Sequence, residues 1–417
     1  MTDQQPTVTP AAPSDEIAHY PFPFDYSMTC PAGYARARET GPVVKVHMPF
    51  DGEAYLITGY AETVAAFNNP QCTMIQYSDG KLPRMEEGDI IGASAQDEGG
   101  LFTVSDARHH QIRRLVTRVF TVQHAHSLIP RVTEVTNELI DEMVARGAPG
   151  DLYEDYAIQT PIAVISEMIG VTRQDEHLFR EWGRAIVSTS ITPEQKAALW
   201  QQMAGYIAPQ VQQAGENPGN NVLGLLIKAH EKGDEVLSHR EMFQLIMGLI
   251  GAGFETVSTS FTNQALLLFQ RPDLLEQLRE RIDDPGRMGR AIEELLRVTP
   301  LGHARPRITR AEVKMGDTTI APGEVILLSP NSANFDEAVI PHPEVIDFDR
   351  EANPMITFGR GIHACLGQQL ARMELQVLWT TLLKRLPGVQ LAVPPEEVPF
   401  RPDVSITIGP AHLPVTW

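Results

Sequence analysis

Residues 358–367 set a single cysteine, Cys365, among Gly359, Gly361 and Gly367, directly before an apolar helical run at 366–386. A cysteine at a helix N-terminus meets backbone N–H donors and the positive end of the helix dipole, and both favour thiolate over thiol. Such a thiolate can act as a nucleophile, a zinc ligand or an axial ligand of haem iron. Structural zinc takes about four closely spaced ligands, whereas Cys30, Cys72 and Cys365 lie far apart. A nucleophile needs a base and an orienting group, which sequence cannot place. For an isolated cysteine the plainest reading is a small buried side chain behind a glycine turn.

The whole pattern shifts that balance. Phe358, Gly361, His363, Cys365 and Gly367 match the haem-binding signature that the segment resembles, that of the cytochrome P-450 family. The glycines let backbone pass close to a flat cofactor, and thiolate ligation favours O–O cleavage. The resemblance implies haem b (iron protoporphyrin IX), with Cys365 on the metal and Phe358 beside the sulfur.

The bulk numbers agree with an enzyme of this kind. The chain has 417 residues, enough for a large core. Its formal charge of −19 and pI near 5.1 argue against a nucleic-acid binder and against docking on anionic lipid. Three scattered cysteines provide no disulfide framework and suit a reducing cytoplasm. Residues 1–20 lack the apolar core of a signal peptide and read as a flexible tail. No run approaches the roughly 18 apolar residues of a membrane span; the longest, 245–254, carries three glycines. The expectation is a cytoplasmic monomer with one catalytic domain over 21–417.

Short strands are expected at 43–46, 54–58, 313–319 and 325–329, a helix at 60–68, and a mainly helical stretch from 109 to 297. Residues 75–103 read as a long irregular segment, and 389–417 as extended. The fold class implied by the resemblance is mainly α with a smaller β-rich lobe: a triangular helical prism around haem.

Gly251, Ala252, Gly253, Glu255 and Thr256 interrupt an apolar helical run at 242–269. Each helical glycine costs about 1 kcal/mol against alanine, and an unpartnered acid or hydroxyl in apolar surroundings costs more. A packing notch with Glu255 in solvent explains the motif as well as a site does. In the family, Ala252, Gly253, Glu255 and Thr256 match a helix crossing the haem face. The roles implied are a widening that admits oxygen, proton relay by Glu255, and a Thr256 hydroxyl that hydrogen-bonds bound oxygen.

Glu294 and Arg297 share a helix face; the family counterpart is a structural ion pair. His109 and Arg113, four residues apart, also share one face. A basic cluster in an acidic chain suits two haem propionates. Family alignment selects His109 and Arg113, together with Arg307 and His363. His110 competes with His109, because the residues usual before the histidine are replaced by 105–108, and Arg305 competes with Arg307. At 334–336 the family's usual arginine is replaced by Phe335, which alters a local ion-pair network.

The function implied is O2-dependent hydroxylation or epoxidation of a small to medium, mostly apolar molecule in secondary metabolism. Electrons would come from NAD(P)H through ferredoxin and ferredoxin reductase, docking near Arg113, Arg114, Arg360 and Arg372. Family topology places Met85, Ile90, Ile91, Phe102, 182–192, Met247, Ile250, Phe254, Leu301, His303, Ile406, Thr407 and Ile408 around the substrate. Two rivals stand beside this reading: a haem-thiolate enzyme for radical coupling, ring formation or peroxide-driven oxidation, and a non-enzymatic haem sensor or carrier.

Overall fold

A central pair of helices, His239–Gly253 and Glu255–Phe269, organises the computed structural model. The structure describes residues 18–74, 82–85, 106–117, 120–170, 173–175, 177–179, 181–182, 192–216, 222–231, 237–401 and 407–417. The expected pocket positions Ile90, Ile91, Phe102 and Ile406 lie outside the described residues, as do 183–191 and most of the segment 75–103.

The helices Gln159–Ile169 and Gln368–Arg385 pack against this pair, and Ile129–Arg146 and Pro285–Val298 pack on Gln368–Arg385 in turn. Gly253 makes one of these contacts close: an added Cβ would come 2.9 Å from the Ile165 terminal methyl, which would have to shift. The pair is apolar enough to span a membrane by composition, with a mean hydropathy of 1.2 over its best window. That window is 67% buried, so protein already covers most of it. Several polar residues on it are paired internally: Ser258 donates to the Phe254 carbonyl at 2.9 Å, and the Trp379 indole donates to Gln264 at 2.9 Å.

Beside the helices lies a mixed six-stranded sheet. Its order is Ala18–His19, Val43–His47, Glu53–Ile57, Val325–Leu328, Arg305–Thr309, Cys72–Thr73. The hairpin between the second and third strands turns through Asp51 (φ 59) and Gly52 (φ 113), left-handed positions that suit a small polar residue and glycine. A three-stranded sheet joins Gln390–Leu391, Pro414–Thr416 and Gly150–Asp151. The mainly helical body with a β-rich lobe is the fold class expected, and the helix Tyr60–Asn68 has the expected ends. One boundary differs. Residues 18–20 are not tail: Ala18 and His19 pair with Val46 and His47, and Tyr20 is buried against Phe22 and Tyr34.

The Glu294–Arg297 pair is wholly buried, so it is no surface pair. Glu294 accepts from Arg297 at 2.7 and 2.8 Å, from Arg350, from Asn353 and from the Asp347 N–H. Arg297 also donates to the carbonyls of Asn334, Pro343 and Val345. Phe335 places its ring 5.3 Å from the Arg297 guanidinium. It therefore meets the cation through its face where the family more often has a second cation.

At the other end of the central pair, Ser238 and Glu241 form a capping box, and Arg108 reaches both Glu241 oxygens, at 2.6 and 2.8 Å. The Arg108 hydrogen bonds hold the Glu241 carboxyl at about 2. Because that is below the unfolded value of about 4.3, the stabilisation is complete above about pH 5 and lost as pH falls towards 2. Glu241→Gln should lower stability by about 1 kcal/mol at pH 7, with a smaller gap at pH 4. Urea midpoints of both proteins at the two pH values test this; a gap unchanged at pH 4 contradicts the assignment.

Candidate haem-thiolate site

The cysteine loop is built by local bonds and two left-handed glycines. The Cys365 N–H donates to the Phe358 carbonyl at 2.8 Å, and Ala364 N–H to Gly361 at 3.1 Å. Gly359 and Gly361 have φ of 69° and 71°. A Cβ on Gly361 would come 2.6 Å from the Phe67 carbonyl oxygen, so this glycine lets the loop seat directly on the helix Tyr60–Asn68. Backbone against backbone cannot yield, so any larger residue would lift the loop.

The Cys365 side chain is solvent-accessible, yet surrounding protein dominates its chemistry. Burial is the largest influence on the thiol and pushes it up, against the Gly367 N–H bond and the charges of Arg305, Arg113 and Arg372. Exposure and enclosure together mean that the thiol faces an internal cleft. The thiolate preference expected from the helix end alone is therefore outweighed by desolvation in this structure.

Arg113 donates to the Ala364 carbonyl, tying the basic helix Asp106–Thr117 to the loop. His109 is buried, and its ring lies 4.4 Å from that of His363, whereas His110 points outward. On the strand Arg305–Thr309 the two competing arginines separate. Arg305 is within electrostatic reach of Cys365. Arg307 is buried against the Phe67 ring at 5.9 Å and donates to the Pro306 carbonyl at 2.8 Å. Burial, with the Arg305 charge beside it, lowers Arg307 to about 10, against the pull of Cys72.

The donor set fits a thiolate-held haem. One enclosed thiol has three guanidinium groups in reach, with a histidine pair beside the loop, as a metal carrying two carboxylate arms requires. Phe358, expected beside the sulfur, lies in the same loop with the Arg372 guanidinium 4.5 Å from its ring centre. Arg372 also pairs with Glu293. Arg113 and Arg372 are thus committed inward, and Arg114 and Arg360 are the exposed members of the expected docking patch. His110, Arg113, Arg114, Thr117 and Thr121 line a 490 Å³ cleft.

The central pair breaks at Phe254 (φ −103, ψ −41), between Gly253 and Glu255. Between Met242 and Phe269, Gly248 and Ala252 are the exposed residues in an otherwise mostly buried stretch, with Thr256 half-buried in line at the next i+4 position. The Thr256 hydroxyl donates to the Ala252 carbonyl at 2.9 Å. Glu255, one residue and about 100° round the helix, is 3% exposed and points elsewhere. It accepts from Arg401, from the Thr407 hydroxyl at 3.0 Å and from the Tyr153 hydroxyl at 3.2 Å. The alternative of a solvent-facing Glu255 is excluded by this burial.

Several expected pocket positions fall elsewhere. Met247, Ile250 and Phe254 are at most 1% exposed and belong to the main core. Their large apolar side chains take the packed face of the helix, and the bare face is made by the small residues. Thr407 is buried in the Glu255 cluster. His303 lies against Tyr20 and Phe24, with centroids 6.0 and 5.6 Å away, and Met85 packs into that same cluster. Leu301 is half-buried, and its carbonyl accepts from the Ile408 N–H at 2.9 Å. Arg401, Tyr153 and Arg350 were not singled out from sequence. Arg401 is the only cation in the segment 390–417, which is the one signal that could have drawn attention to it.

The family model for cytochrome P-450 matches residues 147–399. Nocardicin C N-oxygenase of Nocardia uniformis subsp. tsuyamanensis is 35% identical over 95% of this chain and 98% of its own length. The mycinamicin IV hydroxylase/epoxidase of Micromonospora griseorubida is 35% identical over 97% of this chain and 100% of its own. Among solved structures, a variant of the mixed-function P-450 MycG in complex with mycinamicin IV superposes with a TM-score of 0.88, covering 96% of this chain and 100% of that one at 35% identity. The LnmA P-450 hydroxylase of the leinamycin pathway of Streptomyces atroolivaceus gives 0.87 at 31% identity, covering 96% and 100%. Signature loop, central helix and whole-chain similarity agree: this chain belongs to the cytochrome P-450 family and is a haem-thiolate monooxygenase.

Proposed function

We propose that the protein inserts one atom of O2 into a medium-sized or large, mostly apolar secondary metabolite by hydroxylation or epoxidation. The enclosed Cys365 thiol, ringed by Arg113, Arg305 and Arg372, carries this reading. When bound, haem supplies an oxidant strong enough to attack C–H and C=C bonds. The net change takes two electrons and two protons and leaves one oxygen atom in the product and one in water.

The chain's own residues divide the remaining work. Gly367 N–H and the three arginines stabilise negative charge on the Cys365 sulfur. His109, His363 and Arg113 sit where carboxylate arms would be received, with Arg305 better placed than Arg307. Gly248 and Ala252 keep a flat face clear of side chains, and Thr256 offers a hydroxyl there for holding or passing a proton. Electrons come from NAD(P)H through ferredoxin and its reductase, which meet Arg114 and Arg360. Two relatives carry the names of nocardicin C and mycinamicin IV, which favours a decorated peptide or polyketide as substrate.

Two experiments bear on this. Cys365→Ser should abolish the red-shifted Soret band of the ferrous–CO protein, and Cys72→Ser should keep it, because burial holds the Cys72 thiol near 11 on the far side of Arg307. In the same series Arg305→Ala should lose haem to apomyoglobin about tenfold faster than wild type, and Arg307→Ala much less, since a buried carboxylate left without its cation is costly. Retention of the band in Cys365→Ser overturns the ligand assignment, and a reversed order of the arginines overturns the choice between them.

The second reads electron use. Thr256→Ala should preserve ligand-induced spectral shifts but release a larger share of NADPH electrons as hydrogen peroxide, several-fold above wild type. Unchanged peroxide yield and rate would instead favour radical coupling or peroxide-driven oxidation.

A further inference from the structure

The central helix carries a second stripe, and it is polar. Glu255, Thr259 and Asn263 recur every four residues on one face of Glu255–Phe269, and all three are buried. The C-terminal segment fills this face. Asn263 donates to the Pro300 carbonyl at 2.8 Å and to the Ile408 carbonyl at 2.7 Å. Gly409 lies so close that a Cβ there would come 2.2 Å from the Asn263 side-chain oxygen.

Arg401 completes the seam. Its Nη1 donates to Glu255 Oε1 and, at 3.0 Å, to the Thr407 hydroxyl. Its Nη2 donates to the Thr259 hydroxyl at 2.9 Å and the Pro410 carbonyl at 3.2 Å. Its Nε donates to the Pro410 carbonyl at 3.3 Å. All five guanidinium donors are used, and the group lies 5.0 Å from the Tyr153 ring centre. Thr407 relays the link by accepting from Arg401 and donating to Glu255. Lysine could supply the charge but not the fork. In this arrangement neither Glu255 oxygen meets Thr256, whose hydroxyl is turned to Ala252.

We propose that Arg401 is a positioning residue that joins Glu255 and the turn Thr407–Gly409 into one rigid unit. Through it, the C-terminal segment sets both the placement of the central-helix acid and the wall of the substrate cleft near Leu301 and Ile408. Proton delivery by Glu255 then requires this ion pair to loosen, and Thr256 alone faces the cleft while it is closed. The inference rests on the monooxygenase reading for its kinetic half only.

The test compares wild type, Arg401→Gln, Arg401→Lys, Glu255→Gln and the Glu255→Gln/Arg401→Gln double variant, each as full-length haem protein. Thermal midpoints test the pair without any turnover. Arg401→Gln strands a buried carboxylate and should lower the midpoint by about 5 °C, while the double variant recovers most of that loss. 4-Phenylimidazole, titrated by its spectral shift, reports on the cleft wall. Arg401→Gln and Arg401→Lys should both bind it about three- to tenfold more weakly, and Glu255→Gln should bind it less weakly than either. With a surrogate ferredoxin and its reductase, the solvent isotope effect on NADPH oxidation should change in Arg401→Gln and return to the Glu255→Gln value in the double variant. Additive midpoint losses would overturn the pairing. Coupled midpoints with wild-type 4-phenylimidazole binding and isotope effect would reduce Arg401 to a structural role and overturn the proposal. Absence of the ferrous–CO band in every variant, wild type included, would instead mark failure of the monooxygenase reading, which the midpoint cycle does not depend on.

Discussion

Every part of the site depends on one demand placed on the central helix pair: it must be core on one side and bare on another. A helix that is apolar all round buries itself completely. Here Met247, Ile250 and Phe254 supply the buried side, while Gly248 and Ala252 leave a strip with almost no side chain. Gly253 lets this helix approach Ile165 closely, so that a Cβ there would make the Ile165 methyl shift. The break at Phe254 follows from the same demand, since a run of glycines and a buried acid cannot all be satisfied by an unbroken ladder. Thr256 repairs part of the break by donating to the Ala252 carbonyl.

The cysteine loop solves a related problem with backbone in place of side chains. Its left-handed glycines bring it down onto the helix Tyr60–Asn68, and its N–H groups turn inward to Phe358 and Cys365. That seat is stiffened from behind by Glu294, which gathers Arg297 and Arg350, while Arg297 gathers three carbonyls from the loops that precede Cys365. A buried ion pair contributes little net stability by itself. Its value here is geometric, because removing either charge would strand the other and release several loop segments at once.

The loop signature, the notched helix and the Glu294–Arg297 pair were legible because each compresses its meaning into a few adjacent residues. The helix Tyr60–Asn68 was legible for the same reason: its breakers sit next to it in sequence. What escaped was whatever depends on distant pairing. Arg401 meets Glu255 across 146 residues, and no local pattern announces it. Strand alternation puts Arg305 and Arg307 on one face and so cannot rank them. Reading large apolar side chains as cleft lining also misled, because in Ile250 and Phe254 the same apolarity is better satisfied by the core than by a cleft.

The electrostatics follow from where the cations go. A chain with a formal charge of −19 repels anions at long range, yet it turns Arg113, Arg305 and Arg372 towards one thiol. The only acid on the helix that follows, Glu374, is pushed well above the carboxylate range by burial. Inside the protein these interactions act at short range and low dielectric, where they outweigh the diffuse surface charge. An anionic group entering the cleft therefore meets a local positive field that the overall charge conceals.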